Sequence, residues 1–136
     1  MTYKLHTDGG ARGNPGPAAA GIVLEASNGK VVKRFGHFLG HATNNEAEYR
    51  ALILGLETAL AEGARELECF LDSQLVVSQL NGLYKVKDAR MREFWNKVKG
   101  LEKNFASISY IHVMRSKNAH ADDLVNEVLD EKANEI

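Results

Sequence analysis

The chain has 136 residues, of which 44% are hydrophobic and 26% are charged, and its formal net charge is −1 at pH 7. This composition is typical of a globular protein that buries about two thirds of its unfolded surface, so we predict a single domain over residues 1–136. A charge so close to zero argues against strong non-specific binding of nucleic acid by the whole surface. The single cysteine, Cys69, excludes an internal disulfide and a thiolate zinc cluster. No apolar run reaches the ~18 residues of a membrane span, so we expect a cytoplasmic monomer that does not contact membranes.

The first part of the chain predicts three consecutive antiparallel strands, at residues 3–8, 18–26 and 30–40. An Asn-Gly pair at positions 28 and 29 is a strong hairpin signal between the second and third strands. The stretch between the first two strands is rich in glycine and proline and has two interpretations. It can cradle a phosphate, or it can connect a hairpin that leaves Asp8 at a strand end. No GK[ST] sequence follows it, which favours the hairpin.

The rest of the chain alternates strands with helices. We predict a long helix that begins at residues 43–45 and ends near residue 62, and then the following elements in order: strand 66–72, helix 73–80, helix 88–104, strand 107–113 and helix 118–133. Strand–helix–strand connections require parallel pairing. The fold class is therefore α/β, with a mixed sheet and helices on its faces.

Helix geometry selects two of the 18 acidic residues as candidates for a site. Glu48 falls on the packing face of the long helix, where an unpaired carboxylate costs several kcal/mol. Glu46 faces the other way, and an ion pair with Arg50 is a sufficient explanation for it. In the last helix, Asp122 lies at the edge of the apolar stripe, whereas Asp123 faces away from the stripe.

Strand ends supply two further carboxylates, Asp8 and Asp72. Taken separately, Asp8 can be a turn residue and Asp72 a helix N-cap. If their strands are parallel neighbours, however, both lie at the carboxyl edge of the sheet, where sites form in α/β proteins.

Four carboxylates in one place repel each other unless a cation holds them together. The chain lacks thiolate clusters and an HExxH pattern, and its five histidines are scattered, which leaves a hard cation such as Mg²⁺ or Mn²⁺. A pair of such ions suits the attack of water on a phosphodiester.

Residues 84–103 contain seven basic and three acidic side chains together with Tyr84, Phe94 and Trp95. This segment is either a solvated amphipathic helix or a surface that contacts phosphates.

Four stretches of the chain resemble, in order, the four motif blocks of type 1 ribonuclease H: HTDGGARGNPGPAAAGIVL, TNNEAEYRALILGL, LDSQLVVSQLNG and NAHADDLVNEVL. The similarity covers nearly the whole chain. It implies a ribonuclease H-like fold, with a five-stranded mixed sheet (three antiparallel strands, then parallel strands) and helices on both faces. It also implies an endoribonuclease that uses divalent metal ions to hydrolyse the RNA strand of RNA/DNA hybrids, leaving a 3′-hydroxyl and a 5′-phosphate.

The resemblance assigns roles to individual residues. It implies that the catalytic carboxylates, which hold two Mg²⁺ or Mn²⁺ ions, are Asp8, Glu48, Asp72 and Asp122. The positions that match contacts with the minor groove of the hybrid are Asn14, Asn44, Asn45 and Gln74. Such amides can recognise the 2′-hydroxyl that distinguishes RNA from DNA, although the two adjacent asparagines can also cap the helix. We extend the predicted substrate contacts to Gly9 and Ser73, which adjoin two of the carboxylates.

The chain departs from the family pattern in two places. Some members insert a basic helix and loop after the short central helix. Here residues 81–85 run almost directly into the next helix, so we expect weaker hybrid binding, partly compensated by Lys85 and Lys87. Many members also carry a histidine on the loop before the last acidic residue. In this chain the loop is residues 113–118, and we predict that Arg115 approaches the scissile phosphate instead.

Two alternatives to a hybrid-specific enzyme stay open. The same fold can serve as a non-catalytic module that binds hybrids or double-stranded RNA, although retention of four repelling carboxylates argues against it. The protein can also be a nuclease that cuts double-stranded RNA as well as hybrids. A small-molecule phosphate enzyme that uses the glycine-rich stretch is disfavoured, because no helix follows that stretch directly.

Overall fold

The structure is a computed structural model that describes residues 1–135, and five strands and four α-helices make up its regular elements. The strands are β1 (Thr2–Ala11), β2 (Gly16–Glu25), β3 (Val31–Ala42), β4 (Glu66–Leu71) and β5 (Ser107–His112). The helices are α1 (Asn44–Ala61), α2 (Gln74–Leu80), α3 (Ala89–Glu102) and α4 (Ala119–Ala133). A single 3₁₀ turn, Arg115–Asn118, lies in the segment predicted as a loop. No helix in the described part of the chain has the length and apolar character needed to cross a bilayer.

The five strands form one mixed sheet in the order β3-β2-β1-β4-β5. β1 pairs antiparallel with β2, and β2 with β3, whereas β4 pairs in parallel with both β1 and β5. This arrangement confirms the predicted fold class. β1 continues three residues beyond its predicted end, so that Asp8 still pairs with Gly21 of β2. The parallel ladder from β1 to β4 stops earlier, at the pair His6–Phe70.

Helices α1 and α4 cover opposite faces of the sheet. Side chains alternate between the two faces of a strand, and two adjacent glycines of β1 show which helix lies on each side. A Cβ atom on Gly9 would point at the backbone of α1, whereas one on Gly10 would point at Val125 of α4. The larger core lies on the α1 side, with these fully buried side chains among its members: Leu5, Ile22, Leu24, Leu52, Leu56, Leu67 and Leu71.

Glycines allow α4 to lie directly on the sheet. A Cβ atom on Gly21 of β2 would collide with the carbonyl oxygen of Ala121 and lie 3.1 Å from the Cβ of Leu124. A Cβ atom on Gly36 of β3 would lie 2.5 Å from a methyl group of Val128. Glycine at these two positions therefore lets α4 approach β2 and β3 more closely than a residue with a Cβ atom would permit.

Helix α1 begins with a capping box that corrects one prediction. Thr43 is the N-cap, and its hydroxyl accepts a hydrogen bond from the backbone nitrogen of Glu46 at 3.2 Å. The carboxylate of Glu46 accepts in return from the backbone nitrogen of Thr43 at 2.9 Å and forms an ion pair with Arg90 of α3. The predicted pair between Glu46 and Arg50 is wrong, because Arg50 instead donates to the carbonyl of Leu39 at 3.1 Å.

Candidate metal centre

The parallel pairing of β1 and β4 brings two aspartates to one edge of the sheet. Asp8 lies two residues beyond the last residue of β1 that pairs with β4, and Asp72 directly follows the end of β4. The N-cap of α2 is Ser73, whose hydroxyl accepts from the backbone nitrogen of Val76 at 3.3 Å. The alternative role of Asp72 as a helix cap is therefore filled by its neighbour, and its carboxylate is left to the site.

Glu48 joins these two aspartates from α1. Its Oε1 accepts a hydrogen bond from the backbone nitrogen of Gly9 at 2.9 Å, which fixes the carboxylate against β1. The close approach requires glycine, because a Cβ atom at Gly9 would collide with the carbonyl of Ala47. One carboxylate oxygen each from Asp8, Glu48 and Asp72 lies within 4.8 Å of the other two.

Asp122 approaches the same place from the first turn of α4. It is half-buried and lines the same cavity as the other three carboxylates, but it does not belong to the group of three whose oxygens lie within 4.8 Å of one another. Its charge is nevertheless close enough to raise the pKa of Asp8. Asp123 is exposed, as predicted.

Burial and mutual repulsion perturb the two most buried carboxylates. Burial is the main reason that the pKa of Asp8 is raised to about 7; the adjacent carboxyl of Glu48 opposes the rise, and the charges of Asp72 and Asp122 contribute to it. Burial, followed by the charge of Asp8, also raises the pKa of Glu48 well above its ordinary value of 4.5. The site therefore holds protons at neutral pH unless another positive charge replaces them.

The donor atoms of the site fit a divalent cation. Two of its buried carboxylate oxygens, Oε2 of Glu48 and Oδ2 of Asp72, accept no hydrogen bond from any of residues 1–135. Buried oxygens without donors are costly, and a hard cation with oxygen ligands satisfies them. The same cation relieves the repulsion that raises the two pKa values.

The carboxylates line an open cavity of about 510 Å³. Several of the other residues predicted from the sequence line it as well: Gly9, Asn44, Asn45, Ser73 and Arg115. Arg115 is exposed at the start of the 3₁₀ turn. The predicted positions from β1, α1, the start of α2 and the segment before α4 thus converge on one cavity.

Two of the predicted asparagines fasten the β1–β2 loop to the start of α1. The side-chain oxygen of Asn44 accepts from the backbone nitrogen of Ala11 at 2.9 Å, and that of Asn14 accepts from the backbone nitrogen of Asn44 at 3.0 Å. Because Thr43 is the N-cap, the Asn44 side chain is not spent on capping. The loop therefore presents Asn14 at its tip, where the side chain is exposed.

Three predicted residues lie elsewhere on the surface. Gln74 is exposed at the first position of α2, and Lys87 is exposed just before α3. Lys85 lines a different cavity, of about 420 Å³, together with Tyr84, Arg92 and Trp95. The structure thus places Lys85 at a second surface rather than beside the carboxylates.

Sequence reasoning overlooked two basic residues near the site. Arg12 lines the carboxylate cavity and forms an ion pair of 2.6 Å with Asp130 of α4. Arg90, the partner of Glu46, lines a further cavity of about 430 Å³ that also includes Asn14 and Asn45. The positive charge of residues 84–103 pointed to this region, but no sequence pattern distinguished Arg90 from its basic neighbours.

The sequence of the chain matches a protein-family model and several known proteins. A family model described as "Reverse transcriptase-like" matches residues 6–128. The chain is 45% identical over 124 residues to a protein named Ribonuclease HI of Halobacterium salinarum, covering 91% of this chain and 62% of that protein. It is 32% identical over 145 residues to Ribonuclease H of Legionella pneumophila, covering 98% of this chain and 95% of that protein. The chain spans only 37% of the length of the mycobacterial relatives that it matches at 41% identity.

Solved structures agree with these sequence matches. The crystal structure of RNase H1 from Halobacterium salinarum superimposes with a TM-score of 0.94 at 43% identity, covering 96% of this chain and 99% of that one. The crystal structure of LC11-RNase H1 in complex with RNA/DNA hybrid gives a TM-score of 0.92 at 39% identity, covering 97% of this chain and 99% of that one.

Proposed function

Because the chain belongs to the ribonuclease H family, we propose that it is an endoribonuclease that hydrolyses the RNA strand of RNA/DNA hybrids. The observation that carries this proposal is the cluster of Asp8, Glu48 and Asp72. One oxygen from each lies within 4.8 Å of the other two, and two buried oxygens of the cluster have no hydrogen-bond donor among residues 1–135. The hybrid in the complex of LC11-RNase H1 supports the choice of substrate.

The four carboxylates are the proposed ligands of the cations. Asp8, Glu48, Asp72 and Asp122 would hold two Mg²⁺ or Mn²⁺ ions, which when bound supply an activated water and neutralise the charge that develops on the phosphate. Glu48 is held in place by the backbone nitrogen of Gly9, so its orientation is set before substrate arrives. Attack of water on a phosphodiester of the RNA strand in this way leaves a 5′-phosphate and a 3′-hydroxyl.

Amide side chains around the cavity supply the contacts with the substrate. Asn44 and Asn45 line the cavity. The hydrogen bonds of Asn44 with Ala11 and Asn14 hold the β1–β2 loop in position beside it. Amides both donate and accept, so we propose that four of them contact base edges and 2′-hydroxyls in the minor groove: Asn14, Asn44, Asn45 and Gln74. Gly9 and Ser73 bring backbone and hydroxyl groups to the same cavity, while Lys85 and Lys87 contact phosphates farther along the hybrid.

Arg115 is proposed to contact the scissile phosphate. The side chain is exposed and lines the carboxylate cavity. We expect Arg115→Ala to lower kcat for hybrid cleavage by about ten- to a hundred-fold, because it removes a charge that stabilises the transition state. Lys117→Ala is the matched control in the same 3₁₀ turn, and steady-state kinetics of both variants should show an effect in Arg115→Ala alone. Equal losses in the two variants would mean that the total positive charge matters, and not the position of Arg115.

A panel of matched substrates tests the proposed function against its two alternatives. RNA/DNA hybrid, double-stranded RNA and a chimeric duplex are incubated with the protein in Mg²⁺ and, separately, in Mn²⁺. We expect cleavage of the RNA strand of the hybrid with at least one of the two metals. Cleavage of double-stranded RNA at a similar rate would show a nuclease that acts on both duplexes. The absence of the basic insertion leaves this alternative open. Binding without cleavage in either metal would show the non-catalytic module. The monomeric state and the cytoplasmic location remain predictions from composition.

A further inference from the structure

The carboxylate site depends on how accurately α4 is placed against β1. Asp8 is on β1, whereas Asp122 is on the first turn of α4 and lies outside the tight group formed by the other three carboxylates. Leu124, Val125 and Leu129 are buried on the side of α4 that packs against the sheet. Apolar packing is non-directional, so it holds the helix on the sheet without by itself fixing the helix along the direction of β1.

Asn118 supplies a directional contact at this junction. Its side chain is 2% exposed, and its Nδ2 donates a hydrogen bond of 2.9 Å to the backbone carbonyl of Thr7. Thr7 directly precedes Asp8, and Asn118 lies one helical turn before Asp122. The bond therefore joins the backbone that carries one carboxylate to the helix start that carries the other.

The position of Asn118 in α4 makes this use of its side chain informative. Asn118 is the N-cap residue, where an asparagine ordinarily accepts a hydrogen bond from the first turn of its own helix. Here it makes no such side-chain cap, and its amide instead donates to the neighbouring strand. A local contribution to helix stability is thus replaced by a link between two parts of the candidate site.

From these contacts we propose that Asn118 is a positioning residue that sets the distance between Asp122 and Asp8 for cation binding. The inference rests on the proposed function and deepens it. Mg²⁺ demands near-ideal octahedral geometry, so a small displacement of one carboxylate weakens the site even when all four remain present. Residues that orient metal ligands without touching the metal themselves typically change metal affinity or activity by about 10–100-fold when they are removed.

The test compares Asn118→Ala and Asn118→Gln with the wild-type protein in two measurements. One is the steady-state cleavage of RNA/DNA hybrid in Mg²⁺, and the other is a calorimetric titration of Mn²⁺ without substrate. We expect Asn118→Ala to lose about 10–100-fold in kcat and about tenfold in Mn²⁺ affinity, with KM for the hybrid within about threefold of wild type. Asn118→Gln keeps an amide donor on a longer side chain, so its losses should fall between those of wild type and Asn118→Ala.

Asn81→Ala is the control for the loss of an asparagine hydrogen bond as such. Nδ2 of Asn81 donates to the backbone carbonyl of Tyr110 at 3.1 Å, which is the same kind of bond to a strand, β5, that carries none of the four carboxylates. We expect this variant to retain wild-type kcat and Mn²⁺ affinity.

Three results decide the matter against the inference or against the function. Asn118→Ala with the kcat and Mn²⁺ affinity of Asn81→Ala overturns the inference. Circular dichroism that shows both Asn118 variants unfolded at room temperature also overturns it, because the bond is then a requirement of the fold. A wild-type protein that binds Mn²⁺ but cleaves no substrate refutes the proposed function instead, and the Mn²⁺ titration alone then decides the role of Asn118.

Discussion

Asp8→Asn is expected to lower the rate of hybrid cleavage by about three orders of magnitude while the fold stays intact. A bound cation contributes several kcal/mol of transition-state stabilisation, and about 1.4 kcal/mol corresponds to a factor of ten in rate. Asp8 is 4% exposed and is one of the three carboxylates whose oxygens lie within 4.8 Å of one another. The amide is nearly isosteric, but it carries no charge to hold a cation. Single-turnover cleavage in Mg²⁺ and in Mn²⁺ measures the loss.

The same substitution should stabilise the metal-free protein at alkaline pH. The pKa of Asp8 is raised from 3.8 to about 7 in the folded protein, so the folded state binds more protons than the unfolded state between these values. The free energy of unfolding of the wild type therefore falls as the pH rises from about 4 to about 7, and the deficit persists above that range. Asp8→Asn removes the titrating group and its repulsion of Asp72 and Asp122. Thermal unfolding at pH 8 with a chelator should show a higher Tm for Asp8→Asn than for the wild type. Added Mg²⁺ should raise the Tm of the wild type but not the Tm of the variant.

Asp123→Asn is the matched control for this prediction. Asp123 lies next to Asp122 on α4, but it is exposed, so its loss should leave cleavage within a few-fold of wild type. Near-wild-type cleavage by Asp8→Asn, or a collapse of cleavage in Asp123→Asn, would show that the wrong carboxylates have been assigned to the site.

Gly9→Ala is expected to destabilise the fold by about 3 kcal/mol or more, a large effect for the addition of one methyl group. The new Cβ atom would collide with the carbonyl oxygen of Ala47 and would lie 2.6 Å from the backbone nitrogen of Glu48. Both contacts are backbone atoms of α1, which cannot rotate away as a side chain can. Relief requires α1 to move from β1, and this movement breaks the 2.9 Å hydrogen bond between Gly9 and Glu48. Urea unfolding measures the loss of stability, and the Mn²⁺ titration measures the loss of the site.

Gly10→Ala separates this steric effect from a general intolerance of β1 to alanine. The Cβ atom at Gly10 would make one ordinary contact, at 3.5 Å from a methyl group of Val125. Its free energy of unfolding should stay within about 0.5 kcal/mol of wild type. Similar losses in the two variants would contradict the assigned cause, since only one of the two positions faces a backbone atom at close range.

The sequence contains enough information to predict the sheet, because the signals for it are local or follow from connection rules. The turn at residues 28 and 29 and the alternation of strands with helices specify antiparallel and then parallel pairing. The orientation of Glu48 follows from its spacing on α1. The length of β1 was underestimated because its last three residues pair with β2 alone, at glycine- and alanine-rich positions that carry no strand signal.

The partners of polar side chains were harder to predict, because they depend on distances between elements that are remote in sequence. Glu46 has a basic residue one turn away, yet it pairs with Arg90 of α3, which the packing of α3 against α1 brings closer. Asn118 reads as the end of a loop in the sequence, and its bond to Thr7 exists only because α4 returns to β1. Lys85 lies at its own cavity, because the turn between α2 and α3 carries it away from the carboxylates.

The dispersal of the four carboxylates over β1, α1, β4 and α4 has a consequence for synthesis of the protein. A chain emerging from the ribosome presents Asp8 early, but Asp122 only after all five strands of the sheet have been made. Domains generally fold as units once their elements are available, so the nascent chain cannot complete its set of four carboxylates before α4 has left the exit tunnel. The proposed cleavage of RNA, if it needs all four carboxylates, would thereby begin only after α4 has been synthesised.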